Sequence, residues 1–336
     1  MAESEAGKMM DHILHANHAS DVDRMREAMG TAPDTNVELI TPIFEGVKGI
    51  KVELYDACVN PYKAMFNMVV STWGKHINKW PEVSPENRFA VIKALLEFKA
   101  LPSAMEHPVF CFGIERCSRS AFDQLARARL GVCFSSQGWR DNDHSDVGFR
   151  IPQQIFDDTK SRAELVEALN HCKQVYHNLV NKGQANWQDA RAALPISACH
   201  MFSMSINYLA LRNLCNKRLK FCEQADTVAV AWLMRKRVLE AFPLLGSYLR
   251  PSCDGRGVCE YHQSYSMSEA FGCLFKACGR NPEQGGQDEY ATFNNSCTDA
   301  KTLSEQLGIK IPGPKEDLPP KSWEDLKESD RDLLCS

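Results

Sequence analysis

LPSAMEHPVFCFGIERCSRSAFDQLARARLGVCFSSQGWR, residues 101–140, is the stretch on which the reading of this chain turns. Its middle, PVFCFGIE from Pro108 to Glu115, is apolar and aromatic enough for a buried strand, and SRSAFDQLARARL behind it has helix-forming composition. A strand feeding a helix is a common platform for binding groups. Past that helix the side chains turn to arginine, amide and small residues: Gln124 with Arg127 and Arg129, then Ser135, Ser136, Gly138 and Arg140. Arginine presents a planar fork matched to phosphate oxygens, while serine hydroxyls and glycine amides can complete an anion cradle.

Upstream, IKVELYDACVN (Ile50 to Asn60) alternates apolar and polar side chains with period two, as a half-buried strand does, and the folded domain is expected to begin there. Pro61 then opens a helical stretch, PYKAMFNMVVSTWG, and Ser84 with Pro85 and Asn87 opens another, PENRFAVIKALLEFKAL. Downstream of the loop NDHSDVGFRIP, amphipathic helices are expected at about 160–182, 188–219 and 224–245, the second interrupted near Pro195. They bring further members of the same chemical set: Arg191, then Asn207, Asn213 and Arg218. On a straight helix the last three fall in a broad arc. Composition alone reads all of these as solvated helix faces. Helices with a few strands predict an α/β fold, divided into an N-terminal extension (1–45), a folded body (46–250) and a Cys- and Gly-rich irregular arm and tail (251–336).

The chain has 336 residues, 44% of them hydrophobic and 24% charged, enough to bury a sizeable core as one large domain with extensions or as two domains. A net charge of -4 argues against a nucleic-acid polymer as partner, yet a local arginine cluster can bind a small anion such as a nucleotide. No apolar run approaches the roughly 20 residues that span a bilayer, and the polar, acidic start is unlike a signal peptide, so a cytoplasmic protein is expected. Fourteen cysteines sit mostly in apolar stretches, and Cys58, Cys111, Cys117, Cys172 and Cys215 are expected in the core. Cys253, Cys259, His262, Cys273 and Cys278 lack the ligand spacing of a zinc site, and no metal is expected.

Four elements resemble, in order and spacing, the flavin-dependent thymidylate synthase family over roughly residues 48–248. In the quoted stretch Ser103, Glu106, His107, Ser118, Arg119, Gln124, Arg127, Arg129 and Arg140 fall on its pattern. FRIP, DARAALP and SINYLALRNLCNKRL follow as its later elements. The resemblance implies a helical body around a small mixed β-sheet and a homotetramer with active sites built across subunits. It implies that Arg127, Arg129, Asn207 and Asn213 contact FAD, and that Ser103 and Glu106 line the flavin and folate side. Gln124, Ser136, Gly138, Arg140 and Arg191 would hold the phosphate of a pyrimidine nucleoside monophosphate, and Arg218 would face its ring. The implied reaction reduces FAD with NADPH and transfers a one-carbon unit from methylenetetrahydrofolate to C5, as in dUMP to dTMP.

Several positions depart from the family pattern. Ala128 and Leu101 stand where histidines are expected, Leu209 and Cys222 replace an arginine and a histidine associated with flavin, and the loop from Gly131 to Arg140 is one residue longer. Alternatives therefore stay open: a variant acting on UMP or dCMP, one forming a 5-hydroxymethyl product, or a non-catalytic flavin- or nucleotide-binding homologue. Cys199-His200 resembles the nucleophile dipeptide of the unrelated cysteine-dependent thymidylate synthases. Its place in an apolar, helix-forming stretch predicts core packing instead.

Overall fold

The first two long helices each begin at a capping side chain followed by proline. Asn60 and Ser84 accept from the amides of Lys63 and Asn87, at 2.9 and 3.4 Å, while Pro61 and Pro85 sit in the first turn, where no intrahelical donor is lost. These are α1 (Pro61–Thr72) and α2 (Pro85–Leu96). The structure, a computed structural model, describes residues 41–74, 78–183, 185–220, 223–251, 300–311 and 317–336, all within a unit that starts at Thr41. The expected Cys253–Cys278 cluster lies outside the described residues.

Strands β1 (Ile43–Glu45) and β2 (Lys51–Ala57) precede α1. After α2 come β3 (Val109–Ser118), α3 (Arg119–Leu125), β4 (Val132–Ser136) and β5 (Phe149–Ile151). Helices α4 (Gln153–Asp157), α5 (Thr159–Asn181) and α6 (Trp187–Ala190) lead to β6 (Cys199–Asn207), which runs directly into α7 (Tyr208–Arg218). Then follow α8 (Ala225–Ala241), α9 (Pro243–Ser247), α10 (Ala300–Leu307) and α11 (Glu328–Cys335).

Four strands form an antiparallel sheet in the order β2-β3-β6-β4, and β1 pairs in parallel with β5. Alternation puts Phe110, Phe112 and Ile114 of β3 on the same buried face as Phe202, Met204 and Ile206 of β6. That face packs on α8, buried nearly all round from Val228 to Met234. A second apolar cluster, with Phe149, Ile151, Leu169 and Tyr176, lies under α5. Helices around a small sheet system match the expected fold class.

Three expectations need correction. The helix expected over 188–219 is instead a short helix, a strand and a helix: CHMFSMSIN alternates buried and exposed positions, and its pairing with both β3 and β4 overrides the helix propensity of its methionines. The serine-rich loop after Gly131 is partly the edge strand β4. Among its described residues the tail is partly helical: α10 and α11 bury Leu303 and Leu334, and β1 lies inside the expected extension yet pairs with β5. Of the five cysteines expected in the core, Cys117 and Cys215 are buried, whereas Cys58, Cys111 and Cys172 are half-buried; Cys111 faces away from the core on β3.

Polar anchors fasten the tail. The Asp330 carboxylate accepts from the Tyr62 hydroxyl and, at 2.8 Å, from the Leu244 amide; Arg88 donates at 2.5 Å to the carbonyl of Leu334; Asn60 donates to that of Leu333. Burial raises the Asp330 carboxyl to about 6 despite those two donors. A folded pKa above the unfolded value of about 3.9 makes this contribution fullest below that value and loses it as pH rises through about 6. Amide exchange in α11, corrected for intrinsic rates, is therefore expected to be slower at pH 5 than at pH 7.5, and Asp330→Asn should flatten the difference. Asp330→Ala should cost about 1–3 kcal/mol in denaturant unfolding, by leaving a buried hydroxyl and amide without their acceptor.

Candidate active site

The site is assembled at the elbow where β3 becomes α3. Ser118 caps α3 by accepting from Ala121 N at 3.0 Å, and its own hydroxyl and amide donate to one oxygen of the buried Asp226 carboxylate. Asp226 lies in the first turn of α8, so the elbow is tied to the helix under the sheet. Arg119 pairs with Asp123 at 3.3 Å and lies over the rings of Phe122 and Trp139. With both ends of α3 fixed, Arg127 and Arg129 follow it as exposed side chains.

Gly131 then brings the chain against the start of α7. Its φ is +71°, and a Cβ there would fall 2.4 Å from Asn207 Nδ2, so both conformation and space require glycine. The carbonyl of Gly131 accepts from Asn207 N at 2.9 Å. Asn207 Oδ1 caps α7 by accepting from Ala210 N at 2.8 Å, while its NH2 lies against Gly131; Asn207 itself does not line the neighbouring cavity.

Between these segments lies a cavity of about 330 Å³, lined by Gln124, Arg127, Arg129, Asn213 and Arg218 among others. Five residues expected at one site, drawn from two separate stretches, thus meet. Lys217 also lines it and was missed by sequence reasoning, although it sits beside Arg218. Three arginines and a lysine make this a focus of positive charge in a chain of net charge -4. Arg218 contacts Glu223 through Nη1 and donates from Nη2 to Gln124 O at 3.1 Å and Gln124 Oε1 at 3.4 Å. Gln124, expected at a phosphate, therefore spends its side-chain oxygen on Arg218.

Other expected residues do not line this cavity. Ser103 and Glu106 are exposed on the 3-10 turn Pro102–Glu106. That turn is braced by Arg212, which contacts Met105, donates to Leu96 O at 2.6 Å and stands over the Phe98 and Tyr248 rings. Arg212 was also missed, since nothing in sequence separates it from a surface arginine. Ser136 is exposed at the end of β4, and the Gly138 carbonyl accepts from Asn142 Nδ2 at 2.7 Å. Arg140 is 64% exposed and paired with Asp141 at 3.2 Å, and Arg191 is exposed at the start of a 3-10 turn. Of the departures, Ala128 and Leu209 pack against the core, Leu101 is exposed, and Cys222 is outside the described residues.

The Cys199-His200 pair sits on β6 rather than on a helix. Burial pushes the Cys199 thiol up to about 11, with Arg150 offsetting only part of that. His200 is held down to about 4 by burial and by Arg119, so it is neutral at physiological pH; its Nδ1 accepts from Trp139 Nε1 at 2.9 Å. A half-buried, protonated thiol beside a neutral imidazole lacks the electropositive, accessible setting of a nucleophile.

The sequence profile of the family described as thymidylate synthase complementing protein matches residues 53–244. The chain belongs to this family. Curated relatives include a flavin-dependent thymidylate synthase of Nitratidesulfovibrio vulgaris, 27% identical over 236 residues, covering 68% of this chain and 89% of that one. Another, from Pyrococcus furiosus, is 28% identical over 206 residues, covering 56% and 82%. A solved structure described as a UMP/dUMP methylase from Streptomyces cacaoi, bound with 5-Br dUMP, superposes with a TM-score of 0.51 at 18% identity, covering 62% of this chain and 96% of that one; the likeness is one of fold.

In the native protein at pH 7.5, iodoacetamide should label the exposed Cys133 and Cys335 well before Cys199. Peptide mass spectrometry after short exposure checks this, and Cys199 labelling first would contradict a half-buried, protonated thiol.

Proposed function

We propose that this protein is a flavin-dependent transferase that places a one-carbon unit on C5 of a pyrimidine nucleoside monophosphate, with FAD, NADPH and methylenetetrahydrofolate as its cofactors. The observation that carries the reading is the cationic cavity in which Arg127, Arg129 and Asn213 meet Gln124 and Arg218. Its donor set fits FAD: guanidinium forks suit a pyrophosphate, and amide NH2 groups suit the polar edge of a flavin. When bound, the flavin supplies the reducing equivalents for the transferred carbon.

The chain's own residues bind and orient. Arg127, Arg129, Asn207 and Asn213 hold the cofactor, with Ser103 and Glu106 toward the folate. Arg218 faces the pyrimidine, whose C5 is a weak nucleophile, and its guanidinium stabilises negative charge developing on the ring oxygens. Gln124 keeps an NH2 group for the nucleotide, whose phosphate is assigned to Ser136, Gly138, Arg140 and Arg191. These last four are not gathered in the cavity of the single chain, and Arg140 must leave Asp141 to serve. A homotetramer, in which a neighbouring copy closes the exposed side of the site, accommodates that. The reading also places the protein in the cytoplasm; among the described residues no helix is long and apolar enough to cross a membrane.

A non-catalytic flavin- or nucleotide-binding protein is the second reading. The core packing of Ala128 and Leu209 favours it, since both replace polar flavin contacts of the family pattern. One set of measurements separates the two. Absorbance titration should show FAD binding at micromolar concentration, weakened about tenfold or more in Arg127→Ala/Arg129→Ala as charge-assisted hydrogen bonds are lost. Mass spectrometry after incubation with NADPH, methylenetetrahydrofolate and a mixture of dUMP, UMP and dCMP should then show which nucleotide gains mass, and whether as a methyl or a hydroxymethyl group. Flavin binding without any product supports the second reading; no flavin binding by the unaltered protein removes the first and leaves of the second only a nucleotide-binding protein.

A further inference from the structure

Arg218 is held on two sides before any ligand arrives. It is the last residue of α7, its side chain is 14% exposed, and its contact with the 18% exposed Glu223 side chain engages Nη1. Nη2 is turned to the backbone and side-chain oxygens of Gln124 on α3. Three acceptors on two nitrogens fix both the place and the plane of a guanidinium, a group whose usefulness depends on that plane.

Helix stability does not explain the carboxylate. At the C-terminal end of a helix the unpaired carbonyls favour a cation, so Arg218 suits that end and Glu223 does not. Nor does pairing alone explain it, because a mostly buried ion pair loses much of its Coulombic gain to desolvation. Near the cavity, however, the carboxylate has a consequence. The Arg218–Glu223 pair is neutral as a unit, whereas Arg127, Arg129 and Lys217 keep their charge. A phosphate or pyrophosphate is thereby steered to those cations, and Arg218 is reserved for a neutral ring.

Resting on the reading that Arg218 faces the pyrimidine, we propose that Glu223 is a positioning residue, which with Gln124 fixes the Arg218 guanidinium and keeps it from being taken by anions. It touches no reacting atom. Its effect falls on turnover rather than on nucleotide affinity, because the phosphate and the cofactor are held by other groups.

The test compares Arg218→Ala, Glu223→Ala and Glu223→Gln as FAD-loaded, full-length protein, reading kcat and KM with the nucleotide that proves to be the substrate. FAD affinity and inhibition by inorganic pyrophosphate are measured alongside. Glu223→Ala is expected to lower kcat about tenfold to a hundredfold, the range that misplacing a catalytic group produces, with nucleotide KM changed less than about threefold. Glu223→Gln, which keeps an acceptor in nearly the same volume, should recover part of kcat but be inhibited by pyrophosphate at lower concentration than the unaltered enzyme. Arg218→Ala with undiminished kcat would overturn the reading of Arg218 and this proposal with it. If Arg218→Ala is inactive while Glu223→Ala turns over normally, the proposal alone fails. Should Glu223→Ala not fold, Glu223→Gln decides by the same two readouts: unchanged kcat and unchanged pyrophosphate inhibition would overturn the proposal.

Discussion

A single buried carboxylate sets the geometry of the site. One oxygen of Asp226 takes both the hydroxyl and the amide of Ser118, the residue at which the central sheet hands over to α3. Helix α8, on which Asp226 sits, is packed into the core along most of its length, so the elbow inherits the position of the largest apolar mass in the protein. A helix of seven residues has little stability of its own. Its direction, and therefore where Gln124, Arg127 and Arg129 lie, comes from this link and from the apolar side of α3, where Ala121, Phe122 and Leu125 are buried. Removing the acceptor would leave a hydroxyl and an amide unsatisfied in an apolar surround, a cost of about 1–3 kcal/mol for each group.

The opposite wall is built by a similar elbow. β6 enters α7 through Asn207 as β3 enters α3 through Ser118, and the two strands are paired in register with Val109 opposite Asn207 and Ser118 opposite Cys199. The antiparallel pairing sends the two helices off opposite ends of the strand pair. Only the return of the chain through Gly131 brings the residues after α3 back to the start of α7. The cavity therefore depends on a glycine whose side of the backbone is already occupied by the Asn207 amide.

Much of this was legible in sequence, and what was not has physical causes. Pro61, and Ser84 followed by Pro85, marked where α1 and α2 begin, because first-turn preferences are local, whereas the expected stretches to Gly74 and Leu101 overran the ends at Thr72 and Leu96. The cavity residues Gln124, Arg127, Arg129, Asn213 and Arg218 were found by order and spacing, which report a shared ancestry of positions. β6 was misread as helix although HMFSMSI alternates cleanly, since methionine propensity outweighed a period of two that only its partners β3 and β4 could confirm. Glu223 and Arg212 gave no signal, because a partly buried arginine and its acceptors are joined only by folding. The tail gave little more: its attachment rests on Asp330, on backbone carbonyls and on Leu303, Ile309, Ile311, Leu326 and Leu334, apolar residues spread thinly through a charged stretch.

That attachment also bears on the order in which the protein can complete itself. Tyr62 and Arg88 belong to the first helices, yet the acceptors they use lie 268 and 246 positions further along the chain. During synthesis from the N-terminus the α1–α2 layer can form its helices and begin to pack, with Arg88 Nε donating to Trp80 O, while the Tyr62 phenol and the Nη1 arm of Arg88 wait for partners not yet made. Loop closure over such a distance is slow compared with helix formation. The nascent body thus spends most of its time on the ribosome with an unfilled polar seam.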